Sequence, residues 1–75
     1  MANASQTTGV SDLEYDIVMT LGNLLQGEEA LQKYAKDADK VGNAQIAGIF
    51  HSIIDNHRKS AKALRDALKQ EMSQR

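Results

Sequence analysis

Residues 40–44, Lys-Val-Gly-Asn-Ala, decide the fold of this 75-residue chain, because they separate two long helical patterns. Gly42 suits the left-handed conformation that ends a helix, and Asn43 is a favoured N-cap residue for the next one. The sequence therefore predicts one helix over about residues 12–40 and a second over about residues 44–72. Helices of about 28 residues are about 40 Å long. A short turn joins them as an antiparallel hairpin.

Several independent signals mark the start of the first helix. Ser11 and Glu14 have the spacing of a capping box, in which each side chain bonds the backbone N–H of the other residue. Val10 and Tyr15 have the spacing of a hydrophobic staple. Acidic side chains in the first turn also favour the positive end of the helix dipole. Together these signals predict a helix that begins close to Asp12.

Apolar residues recur at helical spacing in both segments. The predicted core stripe of the first helix comprises Leu13, Ile17, Leu21, Leu24, Leu31, Ala35 and Ala38, with Val18 and Leu25 widening one side. The predicted core and dimer seam of the second helix comprises Ile46, Phe50, Ile53, His57, Ala61, Leu64 and Leu68. Gly22 and Gly27 lie inside the first helix, where the lack of a side chain predicts close approach of the two helices.

Each apolar stripe is broader than the surface that the other helix of a single hairpin can cover. We expect Val18, Leu25, Ile49 and Ile54 to remain exposed in a lone hairpin, and large exposed apolar faces imply a partner. The simplest closure is a second copy of the chain. The expected fold is therefore an all-α antiparallel hairpin that dimerises into a four-helix bundle.

The two helices carry opposite charge. Residues 12–40 contain three Lys against seven Asp or Glu, so their net charge is 3 − 7 = −4. Residues 43–75 contain six Lys or Arg against three Asp or Glu, so their net charge is 6 − 3 = +3. An acidic helix attracts a basic neighbour, which favours the antiparallel pair. The formal net charge of the whole chain is −1, which argues against a nucleic-acid or anionic-membrane ligand.

Composition narrows the function further. The chain has no Cys, which excludes disulfides and thiolate metal sites. No apolar run approaches the roughly 20 residues that a membrane span needs. Residues 1–10 lack the basic and apolar segments of a secretory signal and are expected to be a flexible tail before a hairpin domain at 11–75. No nucleophile–base pair or glycine-rich phosphate loop is recognisable. We therefore expect a cytoplasmic, non-enzymatic protein without a cofactor.

Residues 24–68 resemble half of a ferritin-like bundle. The residues that carry the likeness are Glu28-Glu29-Ala30-Leu31-Gln32-Lys33-Tyr34-Ala35, the run 46–50, Asp55-Asn56-His57, Ala61 and Leu64. Rubrerythrins and half-length encapsulated ferritins are similar in placing acidic residues before a Tyr, then a polar turn, then an apolar run. The half-length proteins also assemble their bundle from two chains. The resemblance implies a homodimeric ferritin-like bundle.

The metal ligands of that family are missing from this chain. Where the resemblance implies a ligand Glu on the first helix, the sequence has Gly27, with Glu28 one residue out of phase. Where it implies the Glu and the His of a Glu-x-x-His motif, the sequence has His57 and Ser60, and no Glu-x-x-His occurs in the chain. A di-iron site needs these inward-facing ligands. We therefore expect no ferroxidase activity.

Glu28 and His57 remain as candidates for a different metal site. In a hairpin that turns near Gly42 they lie at about the same level, so a dimer could offer two imidazoles and two carboxylates to iron, zinc or another divalent ion. The alternative is a structural core histidine that is hydrogen-bonded to Glu28, Gln32 or the dimer mate and sets the register between chains. We favour the second interpretation, with no metal beside His57.

Two other polar features on the second helix have competing interpretations. A basic stripe consists of Arg58, Lys62, Arg65 and Lys69. It could contact phosphates as in a Rop-like RNA-binding dimer. A solvated flank facing the acidic helix is favoured, because no aromatic residues are interleaved for base stacking. His51 and Asp55, four residues apart, are interpreted as a surface hydrogen bond and not as a ligand pair.

These patterns favour a small structural or protein-interaction protein. Its helical surface or its N-terminal tail is expected to contact a larger protein. The alternatives are a ferritin-like metal-binding protein that uses Glu28 and His57, and a Rop-like RNA-binding dimer.

Overall fold

The computed structural model describes residues 12–73, which form two α-helices packed against each other. Helix α1 spans Asp12–Lys40 and helix α2 spans Ala44–Ser73. No strand occurs within these residues, so the expected all-α hairpin is confirmed. The N-terminal tail, and with it Val10 and Ser11 of the predicted staple and capping box, lies outside the described residues.

A Schellman motif ends α1 and reverses the chain. Gly42 has a φ of 74°, in the left-handed region that favours glycine. Its N–H donates to the Asp39 carbonyl at 3.0 Å, and the Asn43 N–H donates to the Ala38 carbonyl at 2.9 Å. The Oδ1 of Asn43 then accepts a 3.0 Å hydrogen bond from the Ile46 N–H and so caps α2. Gly42 and Asn43 thus have the roles that the sequence predicts.

The seam between the helices follows a heptad pattern, in which steps of three and four residues alternate. On α1 its members are Glu14, Ile17, Leu21, Leu24, Glu28, Leu31, Ala35 and Ala38. On α2 its members are Ala47, Phe50, Ile54, His57, Ala61, Leu64, Leu68 and Glu71. All of them are buried or half-buried. Because the helices are antiparallel, each residue faces the one at the same distance from the turn, so that Glu28 lies opposite His57.

The core of the hairpin is small. Its buried apolar residues are Ala35, Ala38, Ala47 and Ile54, which are 2%, 7%, 4% and 3% exposed. Among the described residues no large side chain is fully buried. The alanines bring the helices together next to the turn, while the leucines of the open half are only half-buried. A chain this short that buries so little apolar surface is weakly stabilised on its own.

Two positions of the predicted α2 seam differ from the structure by one residue. Ile54, which was expected to stay exposed in a lone hairpin, is 3% exposed, so that prediction is wrong. Ile46 and Ile53 lie beside the hairpin seam at 43% and 36% exposure, and Ala47 and Ile54 take their places. One residue is about 100° around a helix. Ala47 and Ile54, unlike Ile46 and Ile53, continue the alternating steps of three and four residues along the seam. The role of Ile46 and Ile53 in a dimer seam stays a prediction.

The remaining stripe predictions divide in a similar way. Leu13 is 60% exposed in the hairpin, because Glu14 takes the heptad position in the seam; the burial of Leu13 in a bundle stays a prediction. Val18, Leu25 and Ile49 are 51%, 62% and 53% exposed, as expected for a lone hairpin. The other predicted seam residues lie in the seam and are half-buried: Ile17, Leu21, Leu24, Leu31, Phe50, His57, Leu64 and Leu68.

The two helical glycines inside α1 behave differently. A Cβ on Gly22 would meet no atom within 4 Å, so the two helices of the hairpin do not approach each other closely there, and close approach of a further helix at Gly22 stays a prediction. A Cβ on Gly27 would lie 3.3 Å from Cε1 of His57, so the prediction holds at that position. The difference arises because Gly27 lies next to the seam, whereas Gly22 is exposed.

Candidate functional site

Glu28 and His57 form a polar layer near the middle of the seam. The hairpin brings them to the same open groove of about 340 Å³, as their equal distance from the turn predicts. The groove is lined by Leu24, Leu25, Glu28, His57, Arg58, Ala61 and Arg65. The layer therefore places one carboxylate, one imidazole and two guanidinium groups beside apolar neighbours.

Arg58 is the main partner of Glu28. Its Nε donates to Oε1 at 2.9 Å and its Nη2 donates to Oε2 at 3.4 Å. Gln32 Nε2 donates to Oε2 at 3.4 Å. The hydrogen bond from Arg58 lowers the pKa of the Glu28 carboxyl below its usual value; burial opposes this shift, and the charges of Arg58 and His57 add to it. The same hydrogen bond raises the pKa of Arg58.

The Glu28–Arg58 pair was missed in the sequence analysis, which placed Arg58 in a basic stripe. The signal was available, because Arg58 follows His57 directly and α1 is acidic. A residue next to the seam on α2 reaches the same level of α1 as its neighbour in the seam. Opposite charge at that level favours a pair across the helices.

The imidazole of His57 packs on Gly27. A Cβ on Gly27 would lie 3.3 Å from Cε1 and 3.6 Å from Nδ1, so the missing side chain makes room for the ring. The Nδ1 atom is buried and has no hydrogen-bond partner within residues 12–73. The expected hydrogen bond from His57 to Glu28 or Gln32 is therefore not made within the hairpin. The carboxylate binds Arg58 instead.

Glu28 and His57 supply two potential metal ligands from one chain. Within the described helices no group of three or more His, Asp or Glu side chains is arranged to hold a metal ion. A structural zinc site takes about four protein ligands. A second copy at the same level would have to complete the set, and Glu28 would have to release Arg58.

Half of the predicted basic stripe is paired within the hairpin. Arg58 binds Glu28, and Lys62 Nζ lies 3.2 Å from Asp66 Oδ2 one turn further along α2. Exposed ion pairs of this kind contribute little to stability. They do reduce the positive charge that the stripe presents to a phosphate. Through Arg58 the basic stripe contacts the acidic helix α1, as expected if the stripe is a solvated flank and not a phosphate-binding surface.

His51 and Asp55 line a second open groove, of about 390 Å³, near the turn. The groove is lined by Gln32, Ala35, Lys36, Asp39, His51, Ile54, Asp55 and Arg58. The expected hydrogen bond between His51 and Asp55 is not formed in the described part of the chain. Both side chains are exposed to water, which satisfies them without a partner.

The two sides of the hairpin differ in charge. The rows that flank the seam on one side consist of Leu13, Thr20, Gly27, Tyr34 and Val41 along α1, and of Ile46, Ile53, Ser60 and Ala67 along α2. The rows on the other side consist of Val18, Leu25, Gln32 and Asp39, and of His51, Arg58, Arg65 and Met72. The first set has no ionisable group apart from a tyrosine. We call these sides the uncharged face and the charged face.

The uncharged face is most apolar next to the turn. A groove of about 360 Å³ lies there, lined by Tyr34, Asp37, Ala38, Val41, Asn43, Ile46 and Phe50. The Tyr34 and Phe50 rings are 5.9 Å apart and tilted by 53°, a favourable aromatic contact. The exposed apolar residues of this region, which we call the turn patch, are Tyr34, Val41, Ile46, Ile49 and Ile53.

Val18 and Leu25 do not belong to the turn patch. Leu25 lines the groove that also contains Arg58 and Arg65, so it lies on the charged face. Val18 precedes it by two helical turns and shares that side. From the sequence, these residues and Ile49 were expected to form apolar surface that a partner covers. The structure separates them onto opposite faces, so a single flat interface does not cover both groups.

No family model, curated protein or solved structure matches this chain. The resemblance to ferritin-like bundles accordingly stays a prediction. Neither of the two described helices contains an apolar segment long enough to cross a membrane. The fold and the site define a class of protein: a helical hairpin with a small core, one polar layer and one uncharged face.

Proposed function

We propose that this chain is one half of a homodimeric four-helix bundle and acts as a non-enzymatic structural or protein-interaction protein. The observation that supports this proposal is the distribution of burial. The apolar core is three alanines and one isoleucine, whereas eleven large hydrophobic residues of the described part are exposed. A soluble monomer rarely leaves so much apolar surface in contact with water.

A second copy would bury the apolar surface that a single hairpin leaves exposed. Four helices enclose a core in which the half-buried leucines of each chain pack against the other chain. A twofold axis needs only one self-complementary surface, so one sequence can encode the whole assembly. Contact of the remaining helical surface with a larger protein, and a cytoplasmic location, belong to the same proposal.

In this proposal the polar layer has a structural role. A polar pair in an otherwise apolar seam favours the one register in which its members meet. Sliding α2 by one turn would move Arg58 away from Glu28 and His57 away from Gly27. The layer thus favours one alignment of the hairpin over its neighbours, and no catalytic step is assigned to it.

Sedimentation of the full chain tests the proposal. We expect a dimer at micromolar concentration that dissociates on dilution, with helical content measured by circular dichroism at each concentration. A helical monomer that persists up to high micromolar concentration would overturn the proposal, since the small core would then suffice. The measurement needs no variant, and the absence of cysteine excludes disulfide-linked artefacts.

A divalent-metal site is the second candidate, supported by the shared groove of Glu28 and His57. Elemental analysis of the purified chain and its thermal shift with zinc or iron test this candidate. A shift that is lost in His57→Gln, but kept in His51→Gln, would support it. If the protein purifies without metal and its melting temperature does not change with either ion, the metal-site candidate is excluded.

A further inference from the structure

We propose that the second copy docks on the uncharged face, with both turns at the same end of the bundle and α1 of each copy against α2 of the other. This inference rests on the proposed homodimer and assigns its contact surface and orientation. Three features support it: the charges of the two faces and helices, the position of the turn patch, and the area of the uncharged face.

The charge of the two faces decides which one can be buried. Docking on the charged face would desolvate Asp39 and Arg65, and would put the Glu28–Arg58 pair inside the assembly. Burial of charges costs free energy unless each one is fully paired. The flanking rows of the uncharged face contain no charge, and a single carboxylate, that of Asp37, lines its groove. Interface cores are depleted of charged residues. The uncharged face is therefore the favoured contact surface.

The uncharged face is also large enough for a stable dimer. A helix of 29 residues is about 43 Å long, and two helices side by side are about 20 Å wide. A strip of these dimensions offers roughly 800 Å² per copy, the area that standard interfaces bury. Ser60, a small residue in its middle, allows the helices of the partner to come close.

The turn patch sets the orientation. Its members all lie in the half of the hairpin next to the turn, with Val41 79% and Ile49 53% exposed. With both turns at the same end, the two patches bury each other. With the turns at opposite ends, each patch would instead face the open half of the partner, where the flanking rows hold Leu13, Thr20 and Ala67 and offer fewer large apolar side chains.

The net charges of the helices favour the same orientation. With the turns together, α1 stacks on α2 of the other copy, so a helix with a net charge of −4 meets a helix with five basic and three acidic residues, a net charge of 5 − 3 = +2. With the turns apart, α1 would stack on α1 and α2 on α2. Like-charged helices repel each other at the distance of packed neighbours, within the Debye length of about 8 Å at physiological salt.

A matched pair of substitutions tests the face. Ile53→Lys introduces a charge into the uncharged face, and Leu25→Lys introduces the same charge at an exposed leucine of the charged face. We expect the dissociation constant to rise about 100-fold or more in Ile53→Lys and to change less than about threefold in Leu25→Lys. Ile49→Lys, which lies outside the hairpin seam, should repeat the first result with helical content unchanged.

Pairs of spin labels test the orientation. The chain has no cysteine, so Lys40→Cys near the turn and Gln70→Cys near the open end each provide one labelling site per copy. Turns at the same end predict label-to-label distances below about 30 Å at both positions, because the helices of the bundle are neighbours. Turns at opposite ends predict about 40 Å at both positions, close to the length of a helix.

The outcomes separate this inference from the proposed function. A wild-type chain that stays monomeric in sedimentation overturns the homodimer and the inference together. A wild-type dimer that survives Ile53→Lys and Ile49→Lys but dissociates with Leu25→Lys overturns the face alone. Label distances of about 40 Å overturn the orientation and leave the face in place.

Discussion

At the scale of single residues, His57 lies next to Gly27, where a Cβ would be 3.3 Å from Cε1 of the ring. The ring takes the space of a missing side chain, and its Nδ1 is buried without a partner in the described residues. A buried polar atom without a hydrogen bond costs free energy. The position of His57 therefore contributes more to the alignment of the helices than to their stability.

The first prediction is a coupling between Gly27→Ala and His57→Ala. Alanine gains about 1 kcal/mol over glycine in a helix, but at residue 27 its Cβ presses on the imidazole. We expect Gly27→Ala to stabilise the His57→Ala variant more than the wild type, with a coupling of about 0.5 kcal/mol or more in urea unfolding. Gly22→Ala is the control, because a Cβ there meets nothing. Equal gains in both backgrounds would contradict the contact.

The second prediction concerns the titration of Glu28. Because Arg58 lowers the pKa of this carboxyl, we expect Arg58→Gln to raise it toward the ordinary glutamate value. Arg65→Gln, in the same groove without a bond to Glu28, should leave it unchanged. Carbon-detected NMR titration of the side-chain carboxyl measures both variants. An unchanged pKa in Arg58→Gln would show that the pair does not persist in solution.

The lowered pKa of Glu28 also determines how the stability of the fold changes with pH. A carboxyl whose pKa is lowered on folding stabilises the fold at pH values above its unfolded pKa. This contribution is lost as the pH falls through the lowered pKa of Glu28. Wild type and Arg58→Gln should therefore differ in stability at neutral pH and converge in acid.

At the scale of the elements, the turn at residues 41–43 ends one helix and starts the next with separate chemistry. The Schellman bonds need a positive φ at Gly42, and the cap of α2 needs the side-chain oxygen of Asn43. Both requirements are local, since each bond spans at most five residues along the chain. The hairpin connection can thus form before the seam is packed.

The third prediction contrasts two glycines. Gly42→Ala should lower the free energy of unfolding by about 1–2 kcal/mol, the cost of the left-handed conformation for a residue with a Cβ. Gly48→Ala, on an exposed helical position where a Cβ meets no atom, should raise it by about 1 kcal/mol. Chemical unfolding of the two variants under identical conditions measures both changes. Stabilisation by Gly42→Ala would exclude the Schellman turn.

The fourth prediction concerns the cap of α2. Asn43→Ala should lower the free energy of unfolding by about 1 kcal/mol, because the Ile46 N–H loses its side-chain acceptor. Asn43→Asp keeps an acceptor oxygen at the same place and should retain most of the stability. Thermal or urea unfolding distinguishes the two variants. Equal losses in both would assign the effect to something other than the cap.

At the scale of the whole molecule, stability and association are linked in the proposed dimer. The hairpin buries four apolar residues, and its exposed large hydrophobic residues include the turn patch on one face and Val18 and Leu25 on the other. The proposed dimer covers the first region. The second remains available to the larger partner that the proposed function includes.

The fifth prediction is a melting temperature that depends on protein concentration. Mass action stabilises a folded dimer as concentration rises, so the wild-type midpoint should increase over about a 100-fold concentration range. Ile53→Lys should melt lower and without this dependence, while Leu25→Lys should follow the wild type. Differential scanning calorimetry measures the three proteins. A wild-type midpoint independent of concentration would argue for a monomeric fold.

Local sequence patterns were enough to define the two helices and the turn between them. The roles of Gly42 and Asn43 follow from these patterns, whereas the reasoning that correctly gave the exposed state of Val18, Leu25 and Ile49 failed for Ile54. Caps and turns depend on residues a few positions apart, so their physics can be read along the chain. The charge difference between the helices is likewise a property of composition.

Packing of the two helices was needed to establish which neighbouring residues face each other across the seam. It placed Ala47 and Ile54 in the core in place of Ile46 and Ile53, and it paired Glu28 with Arg58 and not with His57. It also moved Leu25 to the face opposite Ile49. Each outcome depends on the rotation of one helix against the other. A step of one residue is about 100°. The spacing of Ala61, Leu64 and Leu68 favours Ala47 and Ile54 in the seam, but Ile46 and Ile53 are also apolar and one step away, so the packing of α1 settles the choice.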